Sequence, residues 1–437
     1  MGIFVMTRIL HITAHLGGGV GKVLSRLCGK SVRPRSDVQH TIICMEHPQK
    51  SEFRDYVLAS GSELLVCPSS GLLNRRVAEA DIVQVEWWHH PVVAGWLCAG
   101  VLPPMRLVVW SHVSGLHPPE IPLGFLLAPH RFLFTSPCSW EHPRIIGLDG
   151  EQRHRIDVVH SSGGFEDLSE RCAAPRDGPI RVGYVGTLNF SKLHPELLDF
   201  LEAVPLPKFR LTLVGDLTAG EQLISRAASR HLTDRLELPG YKADVATELA
   251  RFDVLAYLLN PLHYGTTENA LLEAMAMGVV PVVLNNPAER HLVTHGETGL
   301  IVDSPAAFAE ALVFLEDHPD KRNILSANAS VDVRERFALQ RTISLLETHY
   351  RAVLEEPKRV FDFRSVFGGR PSDWFLACQG SQVWRFKGNK KHMELTGKSS
   401  RGPHYLYEKT KSSVFHYHHT YPHDRQLESW AQNLEAR

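Results

Sequence analysis

The stretch from Asn260 to Gly299, NPLHYGTTENALLEAMAMGVVPVVLNNPAERHLVTHGETG, constrains the fold of this chain more than any other. Thr266 and Thr267 carry hydroxyls suited to capping a helix, and Glu268 and Asn269 fall in its first turn. Ala270 to Met277 are good helix formers, and Gly278 ends the run. Val279 to Leu284 is short and apolar throughout, which reads as a buried parallel strand. The order is therefore loop, helix, tight turn, strand. A helix N-terminus presents N–H groups and the positive end of a dipole, which suits a phosphate. Glu273 lies four residues after Asn269, on the same face and one turn deeper. A carboxylate there is placed to accept hydrogen bonds from a ribose beside the phosphate.

The rest of the chain repeats this alternation. Arg8 to Thr13 reads as an opening strand, AHLGGGVGK as a glycine loop and Val20 to Leu27 as a helix, the start of a doubly wound domain. Two phosphate motifs fail here. A P-loop needs glycine where Leu16 stands and Ser or Thr where Val23 stands. The dinucleotide fingerprint wants a downstream acidic residue at a strand end, and none is evident. Further strands are expected at His40 to Met45, Leu64 to Cys67, Asp81 to Glu86, Arg106 to Ser111, Phe132 to Ser136 and Ile156 to Val159. A polar connection with Gly and Pro follows, and Arg181 to Gly186 restarts the pattern. It continues at Arg210 to Gly215, Arg235 to Gly240, Asp253 to Leu258 and Leu300 to Asp303. Phe308 to Glu316 and Gln340 to Glu355 read as helices.

Two strand ends carry unusual chemistry, because ligands of open α/β sheets collect at the carboxyl ends of strands. One ends in Glu86, Trp87, Trp88, His89 and His90, the other in Ser111 and His112. Glu86 and His89 are candidates for contact with an acceptor, since imidazoles and aromatic faces suit sugar rings.

These motifs resemble retaining glycosyltransferases of the GT-B fold, glycosyltransferase family 4 in particular. The likeness spans roughly residues 8 to 355 and is sharp from about 181 to 303. It implies two Rossmann-like domains facing across a donor cleft, with residues 1–170 on the acceptor side, 178–355 binding the nucleotide sugar, and 356–437 as an extension. The family signature has two glutamates eight positions apart. The second, which binds ribose, matches Glu273; the first falls at Gly265, so Glu268 is the carboxylate left to stand in for it. Asn269, Ala270 and Leu271 are the helix-start positions facing the phosphates. Gly18 and Gly19 match the family loop that meets the diphosphate from the other domain, and His112 the histidine that reaches the donor sugar. In VGTLNFSKL, Lys192 matches the family lysine on the diphosphate, while Thr187 replaces an arginine. Tyr241 belongs to the loop that touches the base. Catalytic roles are thus expected for His112, Lys192 and Glu268. The function implied is transfer of a sugar from a nucleoside-diphosphate sugar to a hydroxyl on a glycan, lipid-linked or small acceptor. A GT-B nucleotide-sugar epimerase and a non-catalytic sugar-nucleotide scaffold are the alternatives.

Composition sets the remaining limits. At 437 residues, 43% hydrophobic and 22% charged, the chain suits two α/β domains and an addition. No run of about 18 apolar residues is present, so no spanning helix is expected. The N-terminus lacks the basic start and cleavage site of a signal peptide. Seven scattered cysteines read as reduced thiols. The expected location is cytoplasmic, with peripheral contact at the inner membrane face left open. From residue 357 onward 14 Lys and Arg stand against 7 Asp and Glu, an excess read first as a solvated face. Its aromatic residues argue against disorder, and Asp424 to Arg437 reads as a helix. HYHH with His423 lacks a Cys or carboxylate framework, so no metal is expected, and no Asp-x-Asp triplet is present. No cofactor and no nucleic-acid partner are expected; the oligomeric state is open.

Overall fold

A computed structural model describes residues 6–29, 38–48, 51–165, 167–169, 178–387 and 408–435. The chain folds into two parallel sheets covered by helices. The first holds β1 (Thr7–Thr13), β2 (Val38–Cys44), β3 (Glu63–Val66), β4 (Ile82–Trp87), β5 (Leu107–Ser111), β6 (Arg131–Phe134) and β7 (Ile156–Val158), in the order β3-β2-β1-β4-β5-β6-β7. The second holds β8 (Val182–Val185), β9 (Leu211–Val214), β10 (Leu236–Gly240), β11 (Val254–Tyr257), β12 (Val280–Leu284) and β13 (Leu300–Val302), in the order β10-β9-β8-β11-β12-β13. Central strands such as β11 and β12 are buried along their whole length, as expected where helices cover both faces. Every expected strand is present, with ends shifted by a residue or two.

The strand order reverses between β1 and β4 in one sheet and between β8 and β11 in the other. Crevices open at the carboxyl ends of such strand pairs, because the following loops run in opposite directions. The glycine loop follows β1, Glu86 and Trp87 close β4, and Trp88 to His90 follow it. The Thr187 to Lys192 loop and the segment ending in Glu268 follow β8 and β11.

Two stretches pack elsewhere than expected. The helix Leu339–Leu354, placed by its position with the second domain, lies on the first sheet. Its Ile343, Leu346 and Val353 share an apolar cluster with Ile9, Val108 and Leu133, and the Tyr350 hydroxyl donates to Gln84 Oε1 at 2.6 Å. The described part of the extension is no separate unit either. Phe363, Phe367, Phe375, Tyr417 and Trp430 enter the same core as Trp87, Val93 and Phe125 of the first domain. Its helices Pro371–Ala377, Val414–Thr420 and Arg425–Glu435 are too short to bury their apolar faces alone, so the first two pack on the helix Pro91–Leu97 and the third packs on them. The helix Pro319–Arg336 was not expected. Only Leu325, Ala329, Ser330 and Val333 of it are buried, too few to give a legible stripe.

Cys28, Cys44, Cys98, Cys138 and Cys378 are buried and Cys67 is exposed, with no disulfide among the described residues; Cys172 lies outside them. No described helix is long and apolar enough to cross a membrane.

Candidate active site

The signature helix spans Asn269–Ala276, with Glu268 at its N-cap. Thr266 and Thr267 do not cap it. The Thr266 hydroxyl meets the Thr135 hydroxyl at 2.6 Å, and the Thr267 hydroxyl donates to the Thr135 carbonyl at 2.6 Å. Ser114 N–H donates to the Tyr264 carbonyl at 3.0 Å. The local capping chemistry is overridden by contacts that fasten this loop to the ends of β5 and β6. The helix N-terminus therefore faces the first domain, and its glycine loop comes to meet it. Gly18 takes φ +56°, a backbone that favours glycine. A methyl group on Gly19 would lie 2.5 Å from Asn269 Nδ2, so any side chain there would have to push the Asn269 amide aside. One turn in on each side, Lys22 Nζ pairs with Glu273 Oε1 at 2.5 Å across the cleft.

Behind the helix start lies a buried ionic cage. Lys192 Nζ lies 2.5 and 2.6 Å from the two Glu268 oxygens, and the Tyr257 hydroxyl donates to Oε2 at 2.6 Å. His263 Nδ1 lies 3.9 Å from Glu268 Oε1, and its Nε2 lies 3.1 Å from Glu289 Oε1. Burial alone would raise the Glu268 carboxyl, but Lys192 and then His263 outweigh it and hold it below its ordinary value. Burial would lower the Lys192 ammonium, and Glu268 instead raises it. A Cβ at Gly265 would fall 1.9 Å from Glu268 Oε1 and 2.8 Å from Lys192 Nζ. The carboxylate of Glu268 thus fills the space in which a side chain at Gly265 would begin. Lys192, expected on the diphosphate, is paired with Glu268.

On the other wall, His112 Nε2 lies 2.7 Å from Glu86 Oε2. Glu86 Oε1 meets His11 Nδ1 at 3.0 Å and accepts from Gln84 Nε2 at 2.8 Å, and His11 Nε2 lies 2.8 Å from His40 Nδ1. Burial would raise the Glu86 carboxyl, but the hydrogen bonds from His11 and His112 hold it below its ordinary value. An ionised carboxylate only accepts, so both imidazole nitrogens facing it are donors. Neutral His112 then carries its proton on Nε2 and keeps Nδ1 as its acceptor.

Glu86 is 1% exposed and reaches the cleft only through His112, and His89 is fully buried. His89 Nε2 lies 3.2 Å from the Trp374 carbonyl, and its ring packs 4.9 Å from that of Tyr417. The extension covers it. Both residues are thereby corrected as acceptor contacts. Thr187 is exposed, and its carbonyl accepts from the Tyr184 hydroxyl at 3.2 Å. Tyr241 is exposed beyond the edge strand β10, following Gly240 at φ +80°. Ala270 and Leu271 lie in the first turn of the signature helix with Asn269. Lys22, Gln84 and His11 were missed; a lysine one turn beyond a glycine loop was the signal available for the first.

Two Rossmann-like domains, with strand-order reversals turned toward a shared cleft, define a GT-B protein. Residues 169–332 match the family model of glycosyl transferases group 1. The chain is a glycosyltransferase of the GT-B fold, similar across most of its second domain to glycosyl transferases group 1. It is similar to the D-rhamnosyltransferase WbpZ of Pseudomonas aeruginosa, 27% identical over 372 residues, covering 76% of this chain and 92% of that protein. A solved glycosyltransferase from Rickettsia africae superposes with a TM-score of 0.62 at 15% identity, over 80% of this chain and 99% of its own. HepE from Anabaena, solved with UDP-glucose, superposes with a TM-score of 0.60 at 18% identity, over 78% of this chain and 99% of its own.

Proposed function

We propose that the protein moves a sugar from a nucleoside-diphosphate sugar to a hydroxyl acceptor in glycan biosynthesis, with retention of anomeric configuration. The observation that carries this reading is the approach of Gly19, in the glycine loop, to Asn269 at the N-terminus of the Asn269–Ala276 helix, with Glu273 one turn behind. In this reading the diphosphate sits between the glycine loop and the helix amides, where the dipole and N–H groups offset its charge. Glu273 exchanges its Lys22 partner for ribose hydroxyls. Tyr241 lies toward the base. The Lys192–Glu268 pair lines the far side, and the ammonium's third N–H serves the phosphate oxygen on which charge develops. No metal ion or other cofactor is assigned a role.

Chemically, the bond from the anomeric carbon to the phosphate oxygen breaks through an oxocarbenium-like state. The acceptor oxygen forms the new bond on the same face, and its proton passes to the departing phosphate, giving a nucleoside diphosphate. Glu268 and His112 are assigned to the donor sugar, with Glu86 orienting His112.

UDP-glucose and a D-rhamnose nucleotide are the first donors to test, following HepE and WbpZ. A thermal-shift screen of UDP-, GDP-, ADP- and dTDP-sugars identifies the donor, since a ligand that binds only the folded state raises apparent stability. Transfer to a hydroxyl panel with retained configuration is expected. An epimerised donor formed without acceptor, or binding without turnover, would replace this reading with an epimerase or a scaffold.

A further inference from the structure

The extension reaches the cleft through one short segment. The Glu408 carboxylate accepts Phe190 N–H at 2.6 Å, Ser191 N–H at 2.7 Å and the Ser191 hydroxyl. These donors lie in the loop after β8, immediately before Lys192. Two successive amides and a hydroxyl converging on one anionic group form a concave anion cradle. The turn is held from behind. Lys192 and Leu193 N–H donate to the Asn189 carbonyl at 3.1 and 2.7 Å, and Asn260 Nδ2 donates to the Phe190 carbonyl at 2.7 Å. Its amides therefore keep their direction whether or not Glu408 is there. Glu408 is itself carried by the first domain. Lys411 Nζ lies 3.0 Å from His15 Nε2, beside the glycine loop, and the Ser412 hydroxyl donates to the Trp88 carbonyl at 2.8 Å.

The charges around this loop give the amides their weight. Thr187 brings none, and that of Lys192 is offset by Glu268. An anion arriving at the loop meets the Phe190 and Ser191 donors, and finds a carboxylate already on them. Carboxylate and phosphate oxygens accept the same charge-assisted hydrogen bonds, so they compete.

We propose that the Phe190–Ser191 turn is an anion site for a phosphate group of the substrate, and that Glu408 is its internal occupant, displaced when that phosphate binds. The phosphate belongs to the donor diphosphate or to a phosphorylated acceptor. Naming it so rests on the proposed nucleotide-sugar reaction, whereas the competition with Glu408 does not.

The test is calorimetric titration of the full chain with inorganic pyrophosphate and, separately, UDP. Glu408→Gln keeps the side-chain shape and removes the competing charge. It should bind pyrophosphate at least about ten-fold more tightly than the parent. Ser191→Ala added to it should reverse part of that gain. Glu428→Gln, which removes an exposed carboxylate elsewhere in the extension, should change nothing. Melting curves confirm that each variant is folded. If Glu408→Gln binds pyrophosphate no better than the parent, the proposal fails, even where UDP binding upholds the nucleotide reading. If Glu408→Gln gains pyrophosphate affinity and no nucleotide binds, the anion site stands and the nucleotide reading falls. Loss of pyrophosphate binding in UDP-saturated Glu408→Gln assigns the site to the donor diphosphate; persistence assigns it to an acceptor phosphate.

Discussion

Lys192 and Glu268 form an ion pair in the space that a side chain at Gly265 would need. Both carboxylate oxygens lie within 2.6 Å of the ammonium, and a Cβ at Gly265 would fall 1.9 Å from one of them. The absence of a side chain at 265 and the presence of a carboxylate at 268 are therefore one structural fact. Removing one partner leaves an uncompensated, largely buried charge. Lys192→Met is expected to cost about 3 kcal/mol of unfolding free energy, and Lys192→Met with Glu268→Gln distinctly less. Denaturant unfolding of the two single variants and the double variant checks this; additive losses would deny the pairing.

Glu268 also separates structure from chemistry. Glu268→Gln keeps shape and most hydrogen bonding but loses the charge. Turnover with the identified donor should fall at least about ten-fold while affinity for the free nucleoside diphosphate stays near that of the parent. Full turnover in this variant would confine Glu268 to a structural role.

The fold should be acid-sensitive through its histidines. Burial, the largest cause in each case, lowers His15, His89, His160 and His416 to about 4 and His90 to about 2. Unfolded, each titrates near about 6.5. Between these values the unfolded chain binds more protons than the folded one. The stability is therefore complete above about pH 6.5 and is lost as pH falls toward 4. Each histidine adds a slope of up to about 1.4 kcal/mol per pH unit in that window. Unfolding free energy measured from pH 8 to 4.5 should drop steeply below 6.5, and His89→Gln should flatten the drop. A flat profile would contradict the burial of these rings in solution.

Lys22 and Glu273 join the two domains. A double-mutant cycle of Lys22→Ala and Glu273→Ala, read by unfolding without ligand, should give a coupling of about 1 kcal/mol. The coupling should vanish when nucleotide saturates the site and Glu273 turns to it.

Much of the fold was legible because parallel strands are short apolar runs between turn residues, and β8, β11 and β12 stand out on that ground alone. The helix–turn–strand unit ending in Gly278 and Leu284 was legible for the same reason, as was the glycine loop. What stayed hidden lies in pairings with no local period. Lys22 and Glu273 are 251 positions apart, Lys192 and Glu268 76, Ser191 and Glu408 217. Thr266 and Thr267 carry capping chemistry, but a partner at Thr135 took their hydroxyls. His89 stood at a strand end like a ligand contact, and only the packing of Trp374 and Tyr417 reveals that it is covered.

The most direct test of the account is calorimetric titration of a nucleoside diphosphate, UDP first, into the parent and into Glu273→Ala. Losing a charged acceptor of ribose hydrogen bonds costs about 1.5–3 kcal/mol, or roughly 10- to 150-fold in affinity. A loss in that range is expected, with the melting temperature of the ligand-free variant little changed. Equal affinity in the two proteins would contradict it, because the nucleotide would then lie elsewhere than at the Asn269–Ala276 helix.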